Sequence, residues 1–206
     1  MVVTALDPDP RAGSVRVRLD GEPFATIAAE DAARLRLVPG AELDAARAAE
    51  VERCGDVFAV RRVAVRMLAG QALPRRSLVR RLVRKGHAPE IAEGVVAGLE
   101  ANGLIDDAEF ARHFAATRAT RRRHGPARLE ADLRRLGVDR ALAERAVAEA
   151  LAREGLDTVS ILGEAAERKL RELQGVAPAV RRRRLRAYLV RRGFTIGEIA
   201  DYLRRR

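Results

Sequence analysis

The stretch RRLVRKGHAPEIAEGVVAGLEANGLIDDAEFARHF, Arg80 to Phe114, decides how the whole chain is read. It is dense in arginine, yet leucine and glycine punctuate it at fixed offsets. Leu78, Leu82 and Gly86 are spaced as Leu129, Leu133 and Gly137 are, and as Leu185, Leu189 and Gly193 are. Nine and ten residues past each glycine stand Val95 and Val96, Ala146 and Val147, and Tyr202 and Leu203, each pair inside a further apolar helical pattern. The glycine-to-glycine periods are 51 and 56 residues. Each unit therefore contains a helix closed by a glycine, which tolerates the left-handed conformation of a helix end, then a turn and another helix.

A third helix precedes each pair: DVFAVRRVAVRMLA, DDAEFARHFAATRATRR and DTVSILGEAAERKLRELQ. Asp106 with Glu109, and Thr195 with Glu198, have the spacing of a reciprocal cap at a helix entrance. The spacing predicts three-helix repeats over residues 56–105, 106–152 and 153–206, each too small to bury much alone. Residues 1–55 read differently. SVRVRLDGEPFATI alternates about Asp20-Gly21, a dipeptide suited to a tight hairpin, with Val15, Val17 and Leu19 on one face, and VVTAL near the start suits a third strand. AEDAARLRLVPG reads as a short helix stopped by Pro39-Gly40, and AELDAARAAEVERCG as another stopped by Gly55. The expected fold is mainly α: an elongated array of three tandem three-helix modules after a small strand-containing α+β module.

The chain's 40 basic and 29 acidic side chains give a formal charge of +11. Residues 1–55 hold seven basic and ten acidic groups, so the remainder carries a net +14, and a polyanionic partner belongs to that larger part. Lys85 and Lys169 are the only lysines, a bias that genomic base composition can produce without explaining the net charge. At 100° per residue, Leu78, Val79, Leu82 and Val83 cover one side of their helix, leaving Arg76, Arg80, Arg81, Arg84 and Lys85 on the other. Basic residues recur at Arg118, at Arg121, Arg122 and Arg123, and at Arg134 and Arg135. They return at Arg181, Arg182, Arg183, Arg184 and Arg186, at Arg191 and Arg192, and from Arg204 to Arg206. Any one such arginine is ordinarily just a solvated residue; recurring in the same helix of each repeat, they are expected to line up along an extended body. Arginine's planar fork fits phosphate and carboxylate alike, so the charge alone leaves DNA and an acidic protein both open.

No run of about 20 apolar residues marks a membrane span or secretory signal, so a cytoplasmic protein is expected. Cys54, the single cysteine, has no disulfide partner and reads as a small packed side chain. His113 is in helical phase with Phe110 and Phe114, while His87 follows a helix-ending glycine and His124 precedes a glycine. No metal-ligand spacing, glycine-rich phosphate loop or nucleophile with an evident base is present, and capping accounts for Asp106 of the Asp106-Asp107 pair. An enzyme, a cofactor and a metal site are all unexpected.

RRLVRKG (Arg80–Gly86), LEANGLIDDAEFA (Leu99–Ala111), RRRHGPARLEADLRRLGV (Arg121–Val138) and LVRRGFTIGEI (Leu189–Ile199), in this order and spacing, resemble the RecX family of bacterial regulators of the RecA recombinase. The resemblance covers about residues 57–206. It implies a non-enzymatic helical protein that binds the RecA filament on single-stranded DNA, in its groove or at its growing end. Binding of this kind limits filament extension, and with it strand exchange, ATP hydrolysis and the co-protease activity behind the SOS response. The family's basic positions fall here on Arg80, Arg81, Arg84, Lys85, Arg121, Arg122, Arg123, Arg134, Arg135, Arg191 and Arg192, and Arg76, Arg183 and Arg184 join them from the helical phase. His87 and His124 depart from the pattern, standing where many relatives carry an aromatic residue. The expected partners are the RecA filament and, weakly and without sequence preference, single-stranded DNA, met by a monomer away from membranes. Two other readings stay open: a stand-alone DNA-binding protein with a helix-turn-helix-like face, and an adaptor for another acidic protein.

Overall fold

The computed structural model describes residues 1–205; Arg206, last of the terminal arginines, lies outside the described residues. The chain forms two compact units. One comprises Met1–Ala72 and Leu78–Ile105, the other Leu73–Ser77 and the chain from Asp106 onward.

The first unit opens with a three-stranded antiparallel sheet, β1 (Val3–Asp9), β2 (Ser14–Leu19) and β3 (Glu22–Ala28), in that spatial order. Asp20 and Gly21 both adopt positive φ, 48° and 88°, and Leu19 pairs with Glu22, so the two-residue loop has the backbone twist that matches a hairpin. Val15, Val17 and Leu19 are buried on one face, as their alternation predicts. Val3, Ile27, Leu37, Leu43 and Ala48 complete that core. The short helix α1 (Ala29–Arg34) ends well before Pro39-Gly40, at Arg36 with φ 49°; Pro39-Gly40 instead turns the chain back to β1, where the Gly40 N–H donates to the Val3 carbonyl.

The helix expected to stop at Gly55 does not stop there. Helix α2 (Ala45–Gly70), capped by the Asp44 carboxylate on the Arg47 N–H at 2.8 Å, runs straight through. A Cβ at position 55 would lie 3.1 Å from that of Ala25 on β3, so the glycine serves close helix-to-sheet approach and not termination. The amino-terminal half of α2, with Ala48, Val51 and Cys54, closes the sheet's core, and its second half buries Val60 and Ala64. One continuous helix thus joins the strand-bearing segment to the first helical repeat. That repeat continues with α3 (Arg75–Arg84) and α4 (Pro89–Ala101), which bury Leu78, Leu82, Ala92, Val95, Val96 and Leu99.

In the second unit, α5 (Asp107–Arg122), α6 (Pro126–Leu136), α7 (Arg140–Arg153), α8 (Thr158–Glu172), α9 (Pro178–Arg191) and α10 (Ile196–Arg204) share one uninterrupted core from Ala111 to Ile199. Alanines at i, i+4 and i+8 on α5 (Ala111, Ala115, Ala119) are buried with Ala143, Ala146 and Ala150 of α7; small side chains let two helix backbones pack closely. The anchor leucines Leu129, Leu133, Leu185 and Leu189 are all buried, as are Leu78 and Leu82 of α3. Of the residues paired beyond the glycines, Val96 and Val147 are buried, while Tyr202 and Leu203 are half-buried.

The three anchor glycines have φ of 91°, 99° and 89°. Each helix ends identically: the glycine N–H donates to the carbonyl three residues back, and the next N–H, of His87, Val138 or Phe194, to the carbonyl of Leu82, Leu133 or Leu189. This is a Schellman closure, and it requires the left-handed residue. At the entrances, Thr195 and Glu198 form the full reciprocal cap. Asp106 accepts from the Glu109 N–H at 2.8 Å, but the Glu109 carboxylate pairs forward with Arg112 at 2.9 Å, so that cap is one-sided.

Candidate functional site

Helix α3 carries Arg76, Arg80 and Arg84 on its exposed side, followed by exposed Lys85. Val83 shares that outer side at 37% exposure, not the buried side expected for it, and Arg81 is half-buried on the flank. Helical geometry explains both. With Leu78 and Leu82 40° apart facing the core, Val83 falls about 120° from their mean direction and Arg81 about 80° on the other side.

In the second unit some of the predicted arginines have simply exposed side chains and others are engaged internally. Arg121, Arg122 and Arg134 have exposed side chains. Arg123, itself in the left-handed region at φ 52°, places Nε 2.7 Å from Glu164. Arg135 bonds Asp132. Arg192 stacks its guanidinium over the Tyr188 ring at 4.9 Å and donates to the Arg122 carbonyl, while its own carbonyl accepts from the Gly125 N–H at 2.8 Å. It is a packing residue at the meeting of α6 and α9. Arg183, Arg184 and Arg191 are exposed and, among the described residues, make no ion pair.

The centre of the second unit's charge is a residue that the sequence reading did not single out. Asp132 is 3% exposed, with Arg128 Nε at 3.1 Å, Arg118 at 3.6 Å, His124 Nδ1 at 4.0 Å and Arg135 bonded directly. One buried carboxylate thus gathers three guanidinium groups from α5 and α6. Arg118 also lies 4.2 Å from the Phe114 ring centroid, and burial lowers its pKa. His124 is held neutral: burial, then the cations Arg192, Arg128 and Arg118, push it down to about 4 against the opposing pull of Asp132. The signal was present in the spacing, since Asp132 stands four residues after Arg128 and three before Arg135, the offsets that pair on a helix. Five residues before each anchor glycine the chain has Arg81, Asp132 and Tyr188 in turn, so this flank position carries different chemistry in each repeat.

Cys54 is buried, with its thiol pKa raised by burial and Arg34 at 3.3 Å from Sγ, consistent with a packing residue. His113 is exposed. Among the described residues no group of three His, Cys, Asp or Glu side chains is placed to hold a metal ion, and no helix is long and apolar enough to cross a membrane.

With this geometry in place, the likenesses to known proteins become interpretable. Residues 106–151 match the model of the RecX second three-helix domain, and residues 157–203 that of the third. The regulatory protein RecX of Pelodictyon phaeoclathratiforme is 33% identical over 141 residues, 68% of this chain and 84% of that protein. The chain belongs to the RecX family. The regulatory protein RecX of Halorhodospira halophila is 34% identical over 143 residues, again 68% of this chain and 84% of its own length. A crystal structure of a regulatory protein RecX superposes with a TM-score of 0.77 at 20% identity, covering 97% of this chain and 98% of that one. RecX from Lactobacillus salivarius gives 0.61 at 18% identity, over 73% and 96%. At 97% coverage the shared fold takes in nearly all of the strand-bearing segment, which the sequence resemblance left outside. RecX relatives are named as regulatory proteins, and the helical repeat is common to them and to this chain.

Proposed function

We propose that this RecX-family chain acts in the cytoplasm as a monomer, binds the RecA filament on single-stranded DNA and limits its extension, lowering ATP hydrolysis, strand exchange and co-protease activity. It acts by binding, without catalysis of its own. The observation that carries the reading is membership of the RecX family combined with exposed arginines that have no carboxylate partner among the described residues, Arg183, Arg184 and Arg191 among them. An arginine left unpaired in a chain of +11 keeps its full field for a polyanionic assembly, which a RecA filament on DNA is. Arg76, Arg80, Arg81, Arg84 and Lys85 of α3, and Arg121, Arg122 and Arg134 of the second unit, supply further cationic surface.

The test is to add the purified chain, below filament stoichiometry, to RecA on single-stranded DNA and follow ATPase and strand exchange. Both are expected to fall, and unchanged rates overturn the proposal. A stand-alone DNA reader would instead leave both rates untouched and protect a defined duplex sequence at physiological salt.

A further inference from the structure

The three glycine-closed helices differ at their entrances. The entrance of α3 is held twice: the Arg75 N–H donates to Asp107 Oδ1 at 2.7 Å, and the buried Ser77 hydroxyl donates to the Leu136 carbonyl at 2.5 Å. The entrance of α6 is held by the Gly125 N–H on the Arg192 carbonyl at 2.8 Å and by Arg128, whose Cβ would lie 2.3 Å from a Cβ placed on Gly193. Leu136 immediately precedes Gly137, and Arg192 immediately precedes Gly193. Within the second unit, Ser77 therefore meets the residue before Gly137, and the entrance of α6 the residue before Gly193.

Helix α9 makes no such hydrogen bond at its entrance among the described residues. Measured back from the anchor glycines it also begins four residues earlier than α6, about one turn. Leu129 is already buried at the fourth residue of α6; in α9 nothing is buried from Pro178 to Arg184, and Leu185 is the first core residue. The stretch ahead of Leu185 carries Arg181, at the end of the additional turn, and then Arg182, Arg183 and Arg184, all exposed and, among the described residues, none with an ion pair. Four consecutive residues sweep 300° around a helix axis, so the guanidinium groups surround the turn and do not form one face.

That arrangement is electrostatically unfavourable within the chain. The cations repel one another, they sit in the positive half of the helix dipole, and the first turn of α9 contains no acidic residue. A ligand that offsets this must be anionic. It must also reach around the turn, and the stretch offers only the half-buried Val180 as an apolar anchor. Protein interfaces have an apolar core and engage one face of a helix, whereas nucleic-acid interfaces are polar, strongly cationic and directed at phosphates.

We propose that the exposed arginine turn of α9 ahead of Leu185, Arg181–Arg184, is a direct docking site for the phosphodiester backbone of a nucleic-acid strand. This deepens the reading above in that the strand is the one inside the bound filament, but the contact is a property of this chain alone and its test needs no RecA.

The experiment compares two full-length variants that lose the same charge. One replaces Arg181, Arg182, Arg183 and Arg184 with alanine; the other replaces the exposed Arg140, Arg145, Arg153 and Arg171. Binding of a fluorescent thirty-residue oligothymidylate, and of a duplex of equal length, is titrated from about 50 to 200 mM salt. Each phosphate contact on a single strand contributes about −0.7 to the slope of log K against log salt, so the α9 variant is expected to flatten that slope by about 3 and to lose at least ~10-fold in affinity at the lowest salt. The control variant should keep the slope. No loss of melting temperature is expected for the α9 variant, because no core side chain is touched and the mutual repulsion of the arginines is removed. Equal losses in both variants would reduce the site to net charge and overturn the proposal. So would unaltered binding of both oligonucleotides with loss of the effect on RecA, which assigns the turn to an acidic protein surface. Loss of oligonucleotide binding with the effect on RecA intact supports the docking site and removes the link to the filament.

Discussion

Gly86 and Gly193 close their helices with the same pair of hydrogen bonds and with φ of 91° and 89°, yet their surroundings are opposite. A methyl group on Gly86 would meet nothing within 4 Å, while one on Gly193 would strike the Arg128 Cβ at 2.3 Å and its backbone nitrogen at 2.4 Å. The same local motif therefore answers one requirement in the first repeat and two in the third. At Gly86 only the left-handed conformation demands glycine; at Gly193 the approach of α6 demands it as well. Repeats two and three are joined by that approach and by a common core, whereas the first repeat shares α2 with the strand-bearing segment.

The comparison is open to measurement. Gly193→Ala should cost about 2–5 kcal/mol, adding backbone strain to overpacking against Arg128. Leu133→Ala, at a site with no exposed surface, should fall in the same ~2–5 kcal/mol range. Both are read from urea unfolding, and a negligible loss at Leu133 would break the helical phase assigned to α6. Asp132→Asn should cost about 1–3 kcal/mol, because the buried carboxylate is what Arg118, Arg128 and Arg135 share. A neutral result in thermal melts would demote the cluster to a solvated charge group. Gly86→Ala should cost only about 1–2 kcal/mol, the price of the left-handed backbone alone. Equal losses at positions 86 and 193 would erase the distinction between them.

A further test varies pH. His124 is held at about 4 in the folded protein against an ordinary value near 6.5, so between these values the unfolded chain binds more protons. The stabilisation is complete above about pH 6.5 and is lost as pH falls toward 4. The difference in stability between the native chain and His124→Gln should therefore shrink as pH is lowered through that window and stay flat above it. A difference independent of pH would show that the imidazole titrates alike in both states.

The sequence was most legible where one residue type meets one geometric need. Asp20-Gly21 announces a two-residue hairpin, and the leucine-leucine-glycine spacing announces a closed helix, because few residues tolerate positive φ and apolar side chains recur with the period of the element that buries them. Gly55 was misread because a glycine that ends a helix and a glycine that lets a helix touch a sheet look identical in one dimension; Ala25, thirty residues away, decides between them. The candidate surface was half legible for a related reason. Helical phase places Arg76, Arg80, Arg84 and Arg134 outward, as found. It does not reveal that Arg123 reaches Glu164, that Arg192 lies on Tyr188 and caps the approach of α6, or that Asp132 draws in Arg118 from another helix.

The chain's own order of residues determined the elements, their ends, the threefold repeat and the excess of positive charge, since these follow from backbone sterics, periodic burial and composition. Only the tertiary structure decided which arginines are held by internal partners and which stay exposed. Whether a charge is paired depends on distances between atoms far apart in sequence, and those distances exist only once the helices have packed.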